Sequence, residues 1–190
     1  MIIKRITFKL FKIKYNIKSE CSFIFDYVNS MEEGKMSKIS YIPDVAAWEK
    51  EFQFYHPIKV RFSETDMFGH VNNTVPFTYF ELARIEYFKH LGFMQDWVKP
   101  ENETIPVVAD LQCDFLQQVF FDENIAVYVK ANSIGRSSVD LHYMGKKEDG
   151  TICFTGRGTI VQISKKTGKG VIWSDEMKAL LQNNENACAK

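Results

Sequence analysis

The sequence predicts an α+β fold in which an antiparallel sheet of about five strands wraps around one central helix. Two observations carry this expectation. The only long helical segment, Pro76 to Leu91, is apolar on more than one side, which a surface helix does not need. One strand-like run precedes it and four follow, and a lone helix with such strands packs most economically as a sheet folded over it.

The first strand is expected over Phe54–Ser63, where Ile58, Val60 and Phe62 alternate with Lys59, Arg61 and Ser63, the pattern of a half-buried strand. A polar, turn-rich stretch from Glu64 to Thr74 leads into the helix. Pro76 falls in its first turn, where a missing N–H costs nothing, and Asn73 or Thr74 can cap the preceding position. Lys89 and His90 suit its negative end, and Gly92 suits a left-handed stop. The apolar positions are Phe77, Phe80, Ala83, Tyr87, Phe88 and Leu91, widened by Tyr79 and Leu82.

Further strands are expected over Ile105–Leu116, Asn124–Asn132, Ser138–Lys146 and Thr151–Ser164, with Asp149-Gly150 marking a tight hairpin. Ser174 with Asp175 and Glu176 opens a short amphipathic helix through Met177, Leu180 and Leu181. The last residues, from Asn183, are expected to fray.

A chain of 190 residues, 45% hydrophobic, buries one sizeable core. Its domain is expected over 48–190, with 1–47 an N-terminal extension. The formal net charge is +0, so no basic field recommends nucleic acid. Cys21, Cys113, Cys153 and Cys188 lie far apart with no C-x-x-C pair. That spacing argues against a zinc site or disulfide framework and for reduced cytoplasmic thiols. No apolar run approaches a membrane span, and the N-terminus lacks a secretory core.

Residues 1–18 hold Lys4, Arg5, Lys9, Lys12, Lys14 and Lys18 with no acid. Three readings compete for this stretch: a basic membrane-surface arm, an organellar presequence, or residues upstream of the true start. Glu32-Glu33-Gly34-Lys35 before Met36 is what a purine-rich ribosome-binding site spells when translated, so initiation at Met36 is expected.

The chemistry is expected between Val60 and Gly92. Asp66 lies in the loop before the helix, and Gly69 permits a backbone turn between that carboxylate and the helix start. Free N–H groups at a helix start carry partial positive charge and can hold a developing oxyanion. A carboxylate within reach attacks the carbonyl carbon or activates a water. An Asp before a helix is also a common turn former, and both readings stand on spacing alone.

The stretch resembles the 4-hydroxybenzoyl-CoA thioesterase-like family of hotdog folds. Thr65-Asp66, Gly69, His70-Val71-Asn72-Asn73, Phe80-Glu81, Ala83-Arg84 and Leu91-Gly92 carry the likeness. In element order it covers nearly the whole chain after Phe54. The resemblance implies an acyl-CoA thioesterase assembled as a homodimer or homotetramer, with active sites between subunits and no cofactor or metal. It puts Asp66 in the position of the catalytic carboxylate, as nucleophile or general base, and the Asn73 backbone amide where the thioester carbonyl is polarised. Two departures stand out: Asn73 replaces a His of some relatives, and Pro76 replaces an aromatic residue.

Other candidates are open to two readings. His70 touches substrate or bonds its own turn; Asn72 orients Asp66 or the loop, or caps the helix. Glu81 is a rival base, or pairs with Arg84 or Lys89, or faces a partner. Arg136, Ser137 and Ser138, between two strands, offer a cation and hydroxyls to coenzyme A or form a solvated hairpin. Lys146, Lys147 and Arg157 are further nucleotide contacts or ordinary strand-end charges. An acyl-carrier-protein thioesterase and a non-catalytic acyl-CoA-binding module are the alternative functions.

Overall fold

A computed structural model describes residues 39–182 of the chain. The expectations for a Met36 start, a basic N-terminal arm and a frayed C-terminus fall outside those residues. The chain divides into two compact units, Met1–Val45 and Ala46–Lys190. The second contains the sheet.

The strands are β1 (Phe54–Lys59), β2 (Thr104–Phe115), β3 (Asn124–Ile134), β4 (Ser138–Lys147) and β5 (Ile152–Ser164). All neighbours are antiparallel, in the order β1-β3-β4-β5-β2. The helices are α1 (Val45–Lys50), α2 (Val75–His90), α3 (Phe93–Trp97) and α4 (Asp175–Gln182). Because β1 and β2 are opposite edges, the connection between them, which contains α2 and α3, crosses the sheet.

One face of the sheet receives α2. Val127 and Val129 of β3, with Val139, Leu141 and Tyr143 of β4, are buried in the same cluster as Tyr79, Phe80, Ala83, Tyr87 and Phe88. Phe80 stacks on Tyr143 at 4.5 Å between ring centroids, a pairing worth about 1 kcal/mol beyond its area. Helix and sheet come this close because β5 has a glycine beneath the ring. A Cβ on Gly156 would sit 2.5 Å from Phe80.

The other face is covered too, by a helix that the sequence did not announce. Trp48 of α1 is buried and donates its indole Nε1–H to His142 Nδ1 at 2.9 Å. Phe52 packs edge-on against Trp48 and reaches Tyr128. Lys130 is buried beneath both rings and pairs with Glu51. A six-residue helix has too few turns to show periodicity, so this lid is invisible to pattern reading.

Several expectations change. β1 ends at Lys59 and Phe62–Glu64 is a 3-10 turn, so Phe62 does not join Ile58 and Val60 inside but stands 76% exposed. The alternation of Val60, Phe62 and their neighbours was real; the pairing that would use it was not, since Val60 bonds Glu123 through its backbone and the chain then turns. The single chain does not enclose α2 on every side: Thr78, Glu81 and Leu82 form an exposed stripe. Thr74 occupies the cap position without a side-chain cap bond; Asn72 supplies the acceptor instead. Gly92, at φ 83°, stops α2 as expected, and Ser174 Oγ caps α4 by accepting from the Met177 amide at 3.1 Å.

Candidate active site

The loop between β1 and α2 is a narrow ladder. The Asn72 amide donates to the Glu64 carbonyl (2.9 Å), Thr65 faces Val71, and the Asp66 amide donates to the His70 carbonyl (2.9 Å). Gly69 closes the tip at φ 86°, a left-handed conformation that a side chain would strain. The ladder is tied to the connection between β2 and β3 by Val71, whose amide donates to the Val119 carbonyl (2.7 Å), and by a bridge between His70 and Phe120.

Asp66 is held by its own loop. Its Oδ1 accepts from the Phe68 amide at 2.8 Å, and its Oδ2 lies 3.3 Å from His70 Nδ1. The His70 ring is fixed in turn by stacking on Phe68 and by the edge of Phe120. His70 therefore touches the candidate carboxylate directly. Apolar side chains crowd this mouth: Met67 is 89% and Phe68 73% exposed.

Asn72 organises the helix start. Its Oδ1 accepts from the Thr74 amide (3.1 Å) and hydroxyl (3.0 Å), and its carbonyl accepts from the Val75 amide (2.9 Å). Pro76 has no N–H to offer. Of the amides from Asn72 to Val75, that of Asn73 alone has no acceptor among the described residues. Asn73 is exposed, just ahead of the positive end of α2. Asp66 and Asn73 are separated by about three rungs of the ladder, on the order of 10 Å. A carbonyl group contacted from both sides, with the reach of the Asp side chain, spans that gap.

Behind the ladder lies an anchor that pattern reading passed over. Glu64 is only 9% exposed and accepts from the Tyr79 hydroxyl (2.9 Å), the Arg61 amide (2.7 Å) and the Arg61 guanidinium (2.6 Å). Burial pushes its carboxyl up, but these bonds outweigh it and the net shift is down. Tyr79 is pushed up by its own burial and by Glu64. In sequence, Glu64 is one more polar residue of a turn, and no spacing ties it to Tyr79.

The remaining candidates separate. Glu81 is exposed on α2 and pairs with neither expected cation: Arg84 donates to the Tyr143 hydroxyl (3.3 Å) and Lys89 to Glu86 (2.6 Å). Arg136, Ser137 and Ser138 occupy the β3–β4 turn, at the opposite end of the sheet from the Asp66 ladder. The ten residues of β4 between those ends span roughly 30 Å. Lys146, Lys147 and Arg157 each face a carboxylate of this chain, those of Glu49, Glu123 and Asp140. Cys113 and Cys153 are both pushed up to about 12 by burial, which leaves them as thiols, not nucleophiles. Among the described residues, no three His, Cys, Asp or Glu side chains gather where they could hold a metal ion. No helix there is long and apolar enough to cross a membrane.

Residues 60–181 match the model of the thioesterase-like superfamily. An uncharacterised protein of Bacillus subtilis, YsmA, is 49% identical over 70% of this chain and 88% of its own. A thioesterase of Thermus thermophilus, solved in complex with coenzyme A and zinc, is 27% identical with a TM-score of 0.58, over 69% of this chain and 93% of its own. A DHNA-CoA thioesterase of Staphylococcus aureus shares the fold at 23% identity and a TM-score of 0.60, over 72% of this chain and 95% of its own.

Proposed function

Because the chain belongs to the thioesterase-like superfamily, we propose that it hydrolyses an acyl-CoA thioester at the Asp66 ladder. The products are a carboxylic acid and free coenzyme A. The observation that carries this reading is the pairing of one oriented carboxylate with one unpaired amide at the same helix entrance. The Asn73 N–H polarises the thioester carbonyl and holds the oxyanion; such a donor is worth about 3 to 4 kcal/mol. Asp66 either accepts a proton from water as the water oxygen bonds to the acyl carbon, or itself bonds that carbon and is released by water. In both routes the C–S bond breaks and the sulfur leaves as a thiol. His70, against Oδ2, fixes the direction in which the carboxylate points.

The site is completed by a second copy. β2 is an edge strand of 12 residues with unpaired backbone groups along its outer side. Joining two such edges antiparallel extends the sheet and covers part of the exposed apolar surface. It also turns one copy end for end, so the β3–β4 turn of one lies at the same margin as the Asp66 ladder of the other. Arg136, Ser137 and Ser138 of a second copy then stand where the phosphates or pantetheine of the substrate would lie. Pairs of dimers make a tetramer, and the enzyme works in the cytoplasm without a metal or redox cofactor.

The test is thiol release from a panel of fatty and aryl acyl-CoAs and acyl-carrier-protein thioesters, using wild type, Asp66→Asn and Glu81→Gln. Turnover by wild type and Glu81→Gln, with Asp66→Asn dead but folded, is expected. Tight acyl-CoA binding with no turnover in any of them would replace the enzyme with a binding module.

A further inference from the structure

The two chemical groups of the proposed reaction come from opposite arms of one loop, and their separation must be held to a fraction of an ångström. Asp66 lies on the outgoing arm of the loop and Asn73 on the returning arm, two residues before α2 begins at Val75. Of the backbone rungs that join the two arms, the one nearest α2 is made by Glu64, whose carbonyl accepts the Asn72 amide at 2.9 Å. The Glu64 carboxylate reaches in the other direction. It accepts from the Tyr79 hydroxyl at 2.9 Å, on the buried side of α2, and from the Arg61 amide at 2.7 Å, two residues beyond β1. The Tyr79 side is sealed, with that residue 2% exposed, while the Arg61 guanidinium is largely in solvent.

We propose that Glu64 and Tyr79 form a positioning clasp for thioester hydrolysis, which locks the Asp66 ladder to the second turn of α2. The inference rests on the reaction proposed above and adds residues that touch no substrate atom in it. Its physical basis is the two-sided use of one residue: the main chain of Glu64 fixes the segment carrying Asn73, and its side chain fixes the helix. A lone structural carboxylate needs no bond to the loop, and an ordinary turn needs no buried tyrosine. Burial also makes the bond costly to leave half-made, because a stranded hydroxyl or carboxylate there would lose its hydration without replacement. A groove beside the clasp, of about 250 Å³, is lined by Pro57, Ile58, Thr78 and Leu82. It leaves room for Tyr79 to move once its bond is lost.

The variants are Glu64→Gln, which keeps the shape, Tyr79→Phe, which removes the hydroxyl alone, and the pair combined. A misplacement of about 1 Å can cost as much as 100-fold in rate, so each single variant is expected to lose roughly 10-fold to 100-fold in kcat with KM little changed. The double variant should be no worse than the poorer single one, as for two members of one unit. Hydrogen exchange at the Asn72 amide should quicken in both. Variants that melt earlier yet keep wild-type kcat and wild-type Asn72 exchange would reduce the pair to a packing contact and overturn the clasp. The exchange arm stands apart from the chemistry. Faster exchange in a wild-type fold that hydrolyses no thioester would keep the loop-to-helix lock, and the reaction assigned to it would fall.

Discussion

Two polar regions of this molecule, on opposite faces of the sheet, treat their charged groups in opposite ways. Under α1, His142 is 1% exposed and Lys130 2%, and each is tied to neighbours: His142 to Trp48 and Asp140, Lys130 to Glu51 and two aromatic faces. At the Asp66 ladder, the carboxylate and the imidazole both reach solvent, and Asn73 is an exposed residue. In the sealed region burial drives His142 down to about 4 against the pull of Asp140. A strongly perturbed histidine often marks a catalytic centre. Here it marks a lid. Because Trp48 donates to Nδ1, that nitrogen must stay unprotonated, and the neutral ring carries its proton on Nε2 toward Asp140. Chemistry needs groups that remain partly unsatisfied, and the ladder, not the lid, has them.

The sharpest break between the two regions is expected from paired substitutions. Asp66→Asn should lower kcat by about 10² to 10⁴ and leave the melting temperature near wild type, as read by thiol release and calorimetry. Trp48→Ala should do the reverse, costing about 3 to 5 kcal/mol of stability in denaturant titration while the folded fraction keeps its turnover. If Trp48→Ala abolished turnover in folded protein, the two regions would be coupled and the contrast would fail.

Acid should then distinguish them further. The unfolded His142 takes up a proton near pH 6.5 and the folded one only near 4, so stability should be full above 6.5 and decline as pH falls between those values. His142→Phe should flatten that decline in unfolding free energies measured across pH 7 to 4. A smaller effect belongs to Glu64, whose folded carboxyl titrates below the usual 4.5. Its contribution is present above that value and lost as pH falls beneath it. Glu64→Gln should remove this lower step alone. Least of all, Val108→Lys on the exposed edge of β2 should leave the fold unchanged and shift sedimentation toward smaller species, since a charge on an edge strand opposes pairing.

Much of this was legible in the chain itself, for a definite reason. The α2 segment announced itself through a long apolar pattern with Pro76 at one end and Gly92 at the other, and β3 to β5 through alternation around Asp149-Gly150. Those signals are local, because period and turn chemistry act over a few residues. Phe62 shows the limit. Its alternation with Val60 read as strand, but whether β1 continues depends on where β3 begins to pair, and Asn124 pairs with Lys59.

By itself the sequence determined α2, α4, the five strands in their order along the chain, and the loop in which Asp66, Gly69 and Asn73 fall, because each follows from propensity and spacing along the backbone. Only the tertiary structure decided which groups meet: His70 with Asp66, Glu64 with Tyr79, and Trp48 with His142, the last pair 94 positions apart. It also put the Arg136 turn at the far end of the sheet from the ladder. A hydrogen bond between distant residues leaves no periodic trace, since its partners are brought together by the register of strands they do not share.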